Sequence, residues 1–306
     1  MNNWKIQLMI KKHLILFLCI PIIISAQDLD PRAYARVPID LTFVGLGFGY
    51  TYGNVLLDPS LPLKDLDANI QSPLLLAGHT IDLFGFTSQI YAALPYAWAQ
   101  VSANYLGSSE SRTRSGLGDM RMRISILLLG ARPVQLKEFV KKTPKFVLGT
   151  SLLVYAPTGQ YFSDKLINIG TNRWSFKPEI GISYPFYKKW FIDFYAGVWF
   201  FTNNNNFYPG NKVRSQKPLG TLQMDLSYNF SPAMWAAIDV TYYTGGQSSV
   251  NGIKDNDDQN NVRIGATFNL PVNKSHALKF AYSTGAIIRF GANFSTISAG
   301  WQFAFI

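Results

Sequence analysis

Six cations and four carboxylates stand in this sequence where their neighbours along the chain are apolar. They are Arg121, Arg123, Lys177, Arg263, Lys279 and Arg289, against Glu179, Asp193, Asp225 and Asp239. Tyr195 and Trp199 fall at the same alternate positions. Charges of both signs beside aromatic rings can hold a solute with a polar and an apolar part, or can satisfy one another as an ion-pair network. Nucleophilic catalysis would need a histidine beside a serine or aspartate. Beyond the first 26 residues the only histidines are His79 and His276, and neither sits in such a motif. The acidic run Asp255 to Asp258 starts like a calcium loop but has no glycine at the sixth place and no distal glutamate. No catalytic, cofactor-binding or metal residue is expected, and no cofactor.

The elements that must position these charges have a period of two. In Leu219 to Gly246, Leu222, Met224, Leu226, Tyr228 and Phe230 alternate with Gln223, Asp225, Ser227 and Asn229. After a break at Ser231 to Ala233, Met234, Ala236, Ile238, Val240 and Tyr242 alternate with Ala237, Asp239 and Thr241. Period two means strands with one apolar and one polar face, and the short break makes them a hairpin. Each is about ten residues, enough to cross a bilayer at a tilt. In Asp119 to Leu129 the alternation puts Arg121, Arg123 and Ser125 on one face and Met120, Met122, Ile124, Ile126 and Leu128 on the other. An arginine facing lipid at the midplane costs about 2–4 kcal/mol, so the arginines are assigned to the interior.

Twelve such strands can be placed between residues 39 and 306, with mostly short turns alternating with mostly longer loops. The expected fold is all-β, a transmembrane antiparallel up-and-down barrel of about 12 strands, of outer-membrane type. All twelve charged and aromatic positions above are expected to face its lumen. The segments Asn104 to Gly118, Asn203 to Lys217 and Gly245 to Asn261 read as polar loops, and Val134 to Lys142 as a short amphipathic helix. Gly45, Gly47 and Gly49 leave one strand face smooth, a groove in which residues 27–38 can lie. That segment is assigned to the periplasm or the lumen. The last strand, with Ile297, Trp301, Phe303 and Phe305 on one face, suits recognition by the barrel-assembly machinery.

The chain has 306 residues and one cysteine. Lys5, Lys11 and Lys12 precede the apolar run Leu14 to Ile24 and the small residues Ser25 and Ala26, the pattern of a secretory signal over residues 1–26. Cys19 lies inside it, so the mature chain is held without disulfides. The formal charge of +10 includes the three signal lysines, which leaves +7. The remaining cations are scattered, which argues against nucleic acid and for lipid headgroups or a charged lumen. Charged residues and aromatics are each 15%, a balance that suits a barrel with aromatic belts.

Several stretches carry a resemblance: DLDPRAY (Asp28 to Tyr34), DPSLPL (Asp58 to Leu63), IDLFG (Ile81 to Gly85), SGLGDMRMR (Ser115 to Arg123), APTGQY (Ala156 to Tyr161), DKLINIGTNRWSFKPEIG (Asp164 to Gly181), AGVWFFT (Ala196 to Thr202) and YYTGG (Tyr242 to Gly246). Together they resemble the outer-membrane transporter family of the phenol-degradation meta pathway. The resemblance implies the outer membrane of a Gram-negative bacterium and passage of small hydrophobic or aromatic compounds, and brings no site residues with it. The expected activity is therefore passive passage of such solutes. The alternatives are a structural or surface-binding barrel without transport, and a hydrolase embedded in a barrel. The expected partners are outer-membrane lipid and a small hydrophobic or aromatic solute.

Overall fold

The strands that face lipid carry the period-two pattern, and pairing closes them into a ring. The computed structural model describes residues 30–54, 63–105, 107–141, 143, 145–231, 233–291 and 293–305. The signal and cleavage assignments of residues 1–26 lie outside them. The strands are β1 (Thr42–Asn54), β2 (Leu63–Leu83), β3 (Phe86–Tyr105), β4 (Ser108–Leu117), β5 (Met120–Leu129), β6 (Val147–Ala156), β7 (Ser175–Tyr187), β8 (Trp190–Phe201), β9 (Asn204–Phe207), β10 (Lys212–Gln216), β11 (Leu219–Asn229), β12 (Trp235–Gly245), β13 (Ser248–Val250), β14 (Ile253–Lys254), β15 (Gln259–Pro271), β16 (His276–Ile287) and β17 (Asn293–Phe305). One short helix, α1 (Leu136–Phe139), interrupts the connection from β5 to β6.

The order β2-β1-β17-β16-β15-β12-β11-β8-β7-β6-β5-β3-β4, closed by pairing of β2 with β3, is a barrel. β4 and β5 both pair with β3 and follow one another, so they form one interrupted stave. The wall therefore has twelve staves, all antiparallel. Closure pairs the strands of the lipid-facing band on both sides, which is what a bilayer demands of a β-structure, and leaves β4 paired on β3 alone.

The polarity of the wall is inverted relative to a water-soluble barrel. Leu46, Leu75, Leu222, Ile238 and Ile297 are each more than half exposed on the outside. Ser125, Ser151, Gln223, Ser227, Thr241 and Thr267 are buried inside. Rings form belts at both ends of the apolar band. Trp190, Tyr228, Phe230 and Phe268 make contacts of 4.9–6.4 Å near the short turns. Near the other end Tyr96 packs tilted against Trp98 at 4.8 Å, and Trp174 stacks on Phe176 at 6.0 Å. Such belts mark the two interfaces of a membrane barrel.

The β2–β3 turn shows how tight the short-turn end is. Phe84 and Gly85 have φ of 53° and 85°, and Asp82 Oδ1 accepts from Gly85 N at 2.8 Å. Positive φ at both central residues matches the twist of the flanking strands.

At the long-loop end the structure corrects the expected loops. Ser108 to Leu117 is strand, pairing along β3 from Tyr96↔Leu117 to Tyr105↔Ser108. Its sequence, SSESRTRSGL, lacks apolar alternation because this part of the sheet stands clear of lipid. β2 and β3 have 21 and 20 residues, twice what a crossing needs. Leu66, Ala68, Ala99, Val101 and Ala103 on this extension bury together with Ile167 from the following loop. β9, β10, β13 and β14 form a second, four-stranded sheet from two further expected loops. Asp119 ties the region together: its carboxylate accepts from Gly159 N and Thr171 N, each at 2.9 Å, and from Thr171 Oγ1 at 2.6 Å. Asp257, in the acidic run, is buried and accepts from Ser248 N at 2.8 Å and Ser248 Oγ at 2.6 Å.

Short turns face the periplasm in barrels of this kind. Cysteines at the exposed positions Asn205 and Lys254 should therefore react with a membrane-impermeant maleimide on intact cells, and one at Lys188 should not. Reaction at Lys188 with protection of the other two would invert the orientation.

Candidate functional site

Residues 30–38 pack inside the short-turn end of the barrel, and the charged side chains of the wall meet them there. Arg123 Nη2 lies 3.1 Å from Glu179 Oε1, and Lys177 Nζ lies 2.9 Å from Glu179 Oε2. All three are about 7% exposed. Tyr34 enters this group from the N-terminal segment. Its hydroxyl donates to Glu179 Oε1 at 3.0 Å and lies 2.9 Å from Ser151 Oγ. Burial is the main cause that pushes the Tyr34 hydroxyl up to about 12, so it stays protonated as a donor.

The seat of the Tyr34 ring is cut by two glycines. A Cβ at Gly149 would stand 2.5 Å from the ring, and one at Gly181 would stand 2.1 Å from it. The expected groove at Gly45, Gly47 and Gly49 is not the seat. A Cβ at Gly45 would instead meet Trp301 O at 3.3 Å and Leu76 at 3.4 Å. Tyr34 lies against β6 and β7 because its polar partners, Ser151 and Glu179, are there.

Other contacts fix the rest of the segment. Asp30 Oδ1 lies 2.9 Å from Lys279 Nζ, both nearly fully buried. Ala33 N donates to the Tyr195 hydroxyl at 3.1 Å, and the Tyr34 and Tyr195 rings are 5.2 Å apart. The Arg32 guanidinium bonds to Asn229 Oδ1 and lies 4.5 Å from the centre of the Phe191 ring. Arg36 Nη1 donates to Thr143 O at 2.5 Å, and Ile39 N to Val134 O at 3.0 Å, tying the segment to the α1 connection.

The wall residues singled out in the sequence separate into groups. Arg121, Arg123, Lys177 and Glu179 lie on β5 and β7, with Arg121 5.1 Å from the centre of the Tyr155 ring. Asp193, Asp225 and Asp239 are buried side by side on β8, β11 and β12. Trp199 packs in a layer with Leu153, Leu219 and Tyr243 nearer the long loops. Arg263 is buried and donates to Phe294 O at 2.9 Å. Arg289 is placed differently from the expectation. It lies beyond the end of β16, exposed, and pairs with Asp258 Oδ1 at 2.8 Å. β16 ends at Ile287, so strand parity does not reach this residue. His79 Nδ1 lies 2.9 Å from Thr42 Oγ1, and His276 Nδ1 accepts from Trp301 Nε1 at 3.0 Å.

Between the cationic group and the N-terminal segment a cavity of about 30 Å³ remains, lined among others by Asp30, Tyr91, Arg121, Arg123, Lys177 and Tyr195. A cavity of ~10–15 Å³ already holds one water and one of ~150 Å³ holds benzene, so this space takes water and not an aromatic ring. The interior is thus polar, charged and nearly filled at this level. Sequence reasoning missed Asp30, Tyr34, Tyr91, Tyr155 and Ser151 as members of the site. Asp30 and Tyr34 lie in the stretch Asp28 to Tyr34, one of those that carry the family resemblance, which is the signal that could have found them.

Comparisons give the same architecture. An outer membrane channel from Pseudomonas putida F1 is similar with a TM-score of 0.76 and 18% identity, over 91% of this chain and 100% of that one. The beta domain of the Bordetella autotransporter BrkA gives a TM-score of 0.54 and 16% identity over 87% of this chain and 99% of that one. The transport unit of the autotransporter AIDA-I from Escherichia coli gives 0.53 and 10% over 91% and 93%. At these identities the likeness is one of fold. No curated protein matches the sequence. A family model described as "Putative MetA-pathway of phenol degradation" matches residues 45–303. An apolar-outside, polar-inside barrel of twelve staves belongs in the outer membrane of a Gram-negative bacterium, and with most of its length matched, this chain belongs to that phenol-degradation family.

Proposed function

We propose that the barrel is a passive channel for small, weakly polar solutes, aromatic compounds among them, closed by residues 30–38 in the conformation described. The observation that carries this reading is the interior: cations interleaved with rings inside a closed apolar wall. Arg121 over Tyr155 and Lys177 over Trp199 pair a charge with a ring at 5.1 and 5.5 Å. A solute with a ring and a carboxylate or hydroxyl finds both contacts there. Twelve staves enclose a lumen between that of a side-chain-filled eight-stranded barrel and a wide porin. Passage runs down a gradient, since no nucleotide-binding motif accompanies the barrel. The channel named from Pseudomonas putida F1 supports a conducting role for the shared fold. Assembly is through the barrel machinery, which reads the apolar outer face of β17.

A second reading, a structural or surface-binding barrel, is favoured by one observation: the cavity between the N-terminal segment and the Arg121, Arg123 and Lys177 side chains is about 30 Å³. Uptake separates the two. Proteoliposomes should accumulate benzoate faster than protein-free liposomes, and Arg121→Ala should reduce benzoate uptake relative to phenol. Phenol partly crosses lipid unaided, so the anion is the decisive solute. Benzoate uptake equal to that of empty liposomes would favour the structural reading.

A further inference from the structure

The outer face of the wall is not evenly convex. A groove of about 820 Å³ runs down its lipid-facing side across β11, β12, β15, β16, β17 and β1, and no charged residue lines it. That volume falls within the ~300–1,000 Å³ of ligand clefts. Strand register explains the groove. Ala236 on β12 stands between Tyr228 and Phe268, Ala266 on β15 between Ile238 and Tyr282, and Ala299 on β17 between Phe280 and Phe48. The three alanines share the outward face with the exposed Ile238, Phe280 and Ile297. Each leaves a gap between two large side chains. An acyl chain on a convex wall is touched on one side, whereas in this groove it is touched on several.

One end of the groove is charged. It begins at Trp190 and Tyr228, in the aromatic belt near the short turns. Lys189 Nζ lies 5.8 Å from the centre of the Tyr228 ring and donates to Phe230 O at 3.3 Å. Lys188 beside it and Lys274, in the turn from β15 to β16, are exposed. Among the described residues no carboxylate pairs with any of the three. Arg132, Lys137, Lys141 and Lys145 continue this basic rim, against Asp40, Asp82 and Glu138. The long-loop end differs: there Arg112 pairs with Glu110, Lys165 with Asp164 and Arg289 with Asp258. Cations just beyond an aromatic belt stand at the level of lipid headgroups and attract anionic ones.

We propose that the groove and the lysines at its short-turn end form a site for one anionic glycerophospholipid of the inner leaflet, with an acyl chain in the groove and the phosphate at Lys188, Lys189 and Lys274. Charge selects this occupant. A second barrel seated on the same groove would bring its own lysines to the same level, and like charges oppose such a contact. Lipopolysaccharide lies in the opposite leaflet, at the long-loop end, where the cations named above already have carboxylate partners. The site is on the outside of the wall, so it goes beyond the channel reading and holds whether or not the lumen conducts.

The test is native mass spectrometry of the detergent-purified barrel with added dioleoylphosphatidylglycerol or dioleoylphosphatidylcholine, which have the same acyl chains and differ in net headgroup charge. One phosphatidylglycerol should stay bound per barrel, preferred over phosphatidylcholine by about tenfold or more. Replacing Lys188, Lys189 and Lys274 together by glutamine should remove that preference and leave weak binding of both lipids. Ala266→Phe with Ala299→Phe fills the groove from the lipid side and should lower binding of both. Heat-modifiable migration on gels shows that each variant has folded, and the three lysines lie in exposed turns, so their replacement leaves the wall's packing alone. Equal binding of the two lipids by the unsubstituted protein would overturn the site, as would an undiminished preference in the lysine variant. Unchanged phosphatidylglycerol binding in the groove variant would overturn it too. So would a lipid-free dimer that the groove substitutions abolish, since the groove would then belong to a second copy. No solute is present in this experiment, so its failure leaves the channel reading standing.

Discussion

Glu179→Gln should destabilise the barrel by about 3–5 kcal/mol, the cost of breaking a buried ion pair from one side. Glu179 joins Arg123 and Lys177, and it also accepts from the Tyr34 hydroxyl. Glutamine keeps the shape but removes the negative charge, so two buried cations lose the charge they share. The penalty should appear as a lower urea midpoint for the barrel refolded into lipid vesicles. Removing a cation as well should relieve it: Glu179→Gln with Lys177→Met should be more stable than Glu179→Gln alone. Loss of the Tyr34 anchor should also leave residues 30–38 more open to protease. A midpoint unchanged by Glu179→Gln would mean that the cluster is not held by this carboxylate.

Much of the wall was legible because lipid makes the code strict. In Leu219 to Asn229 and Trp235 to Gly245, every second residue must be apolar, and the two strands appear where the alternation puts them. The same rule orients Arg121 and Arg123. The code fails where lipid ends. Ser108 to Leu117 is a strand largely exposed beyond the lipid band, so its polar sequence carries no period. The short strands β9, β10, β13 and β14 are set by pairing between distant loops, which no local pattern reveals.

The site was legible as a set of residues but not as an arrangement. Parity tells that Asp193, Asp225 and Asp239 face inward. Only the register between three strands tells that they are neighbours. The same holds for the plug. Three glycines on β1 offered one seat, yet Gly149 and Gly181, on different strands, together make the one that Tyr34 takes. Arg289 shows the opposite limit: past Ile287 the strand has ended and parity no longer assigns a face.

The central claim is that a charged lumen runs through the barrel and that the N-terminal segment closes it. Single-channel recording in planar bilayers tests both halves at once. The intact protein should give small or rare openings, because Tyr34 is anchored to Glu179 and Ser151, and Asp30 to Lys279. Deleting Asp28 to Arg36 removes those anchors and should raise the conductance several-fold, with openings that are long and uniform. The deletion leaves all twelve staves intact, so heat-modifiable migration on gels serves as the check that the barrel has formed. A folded deletion protein that remains silent, or that conducts no better than the intact one, would contradict the account.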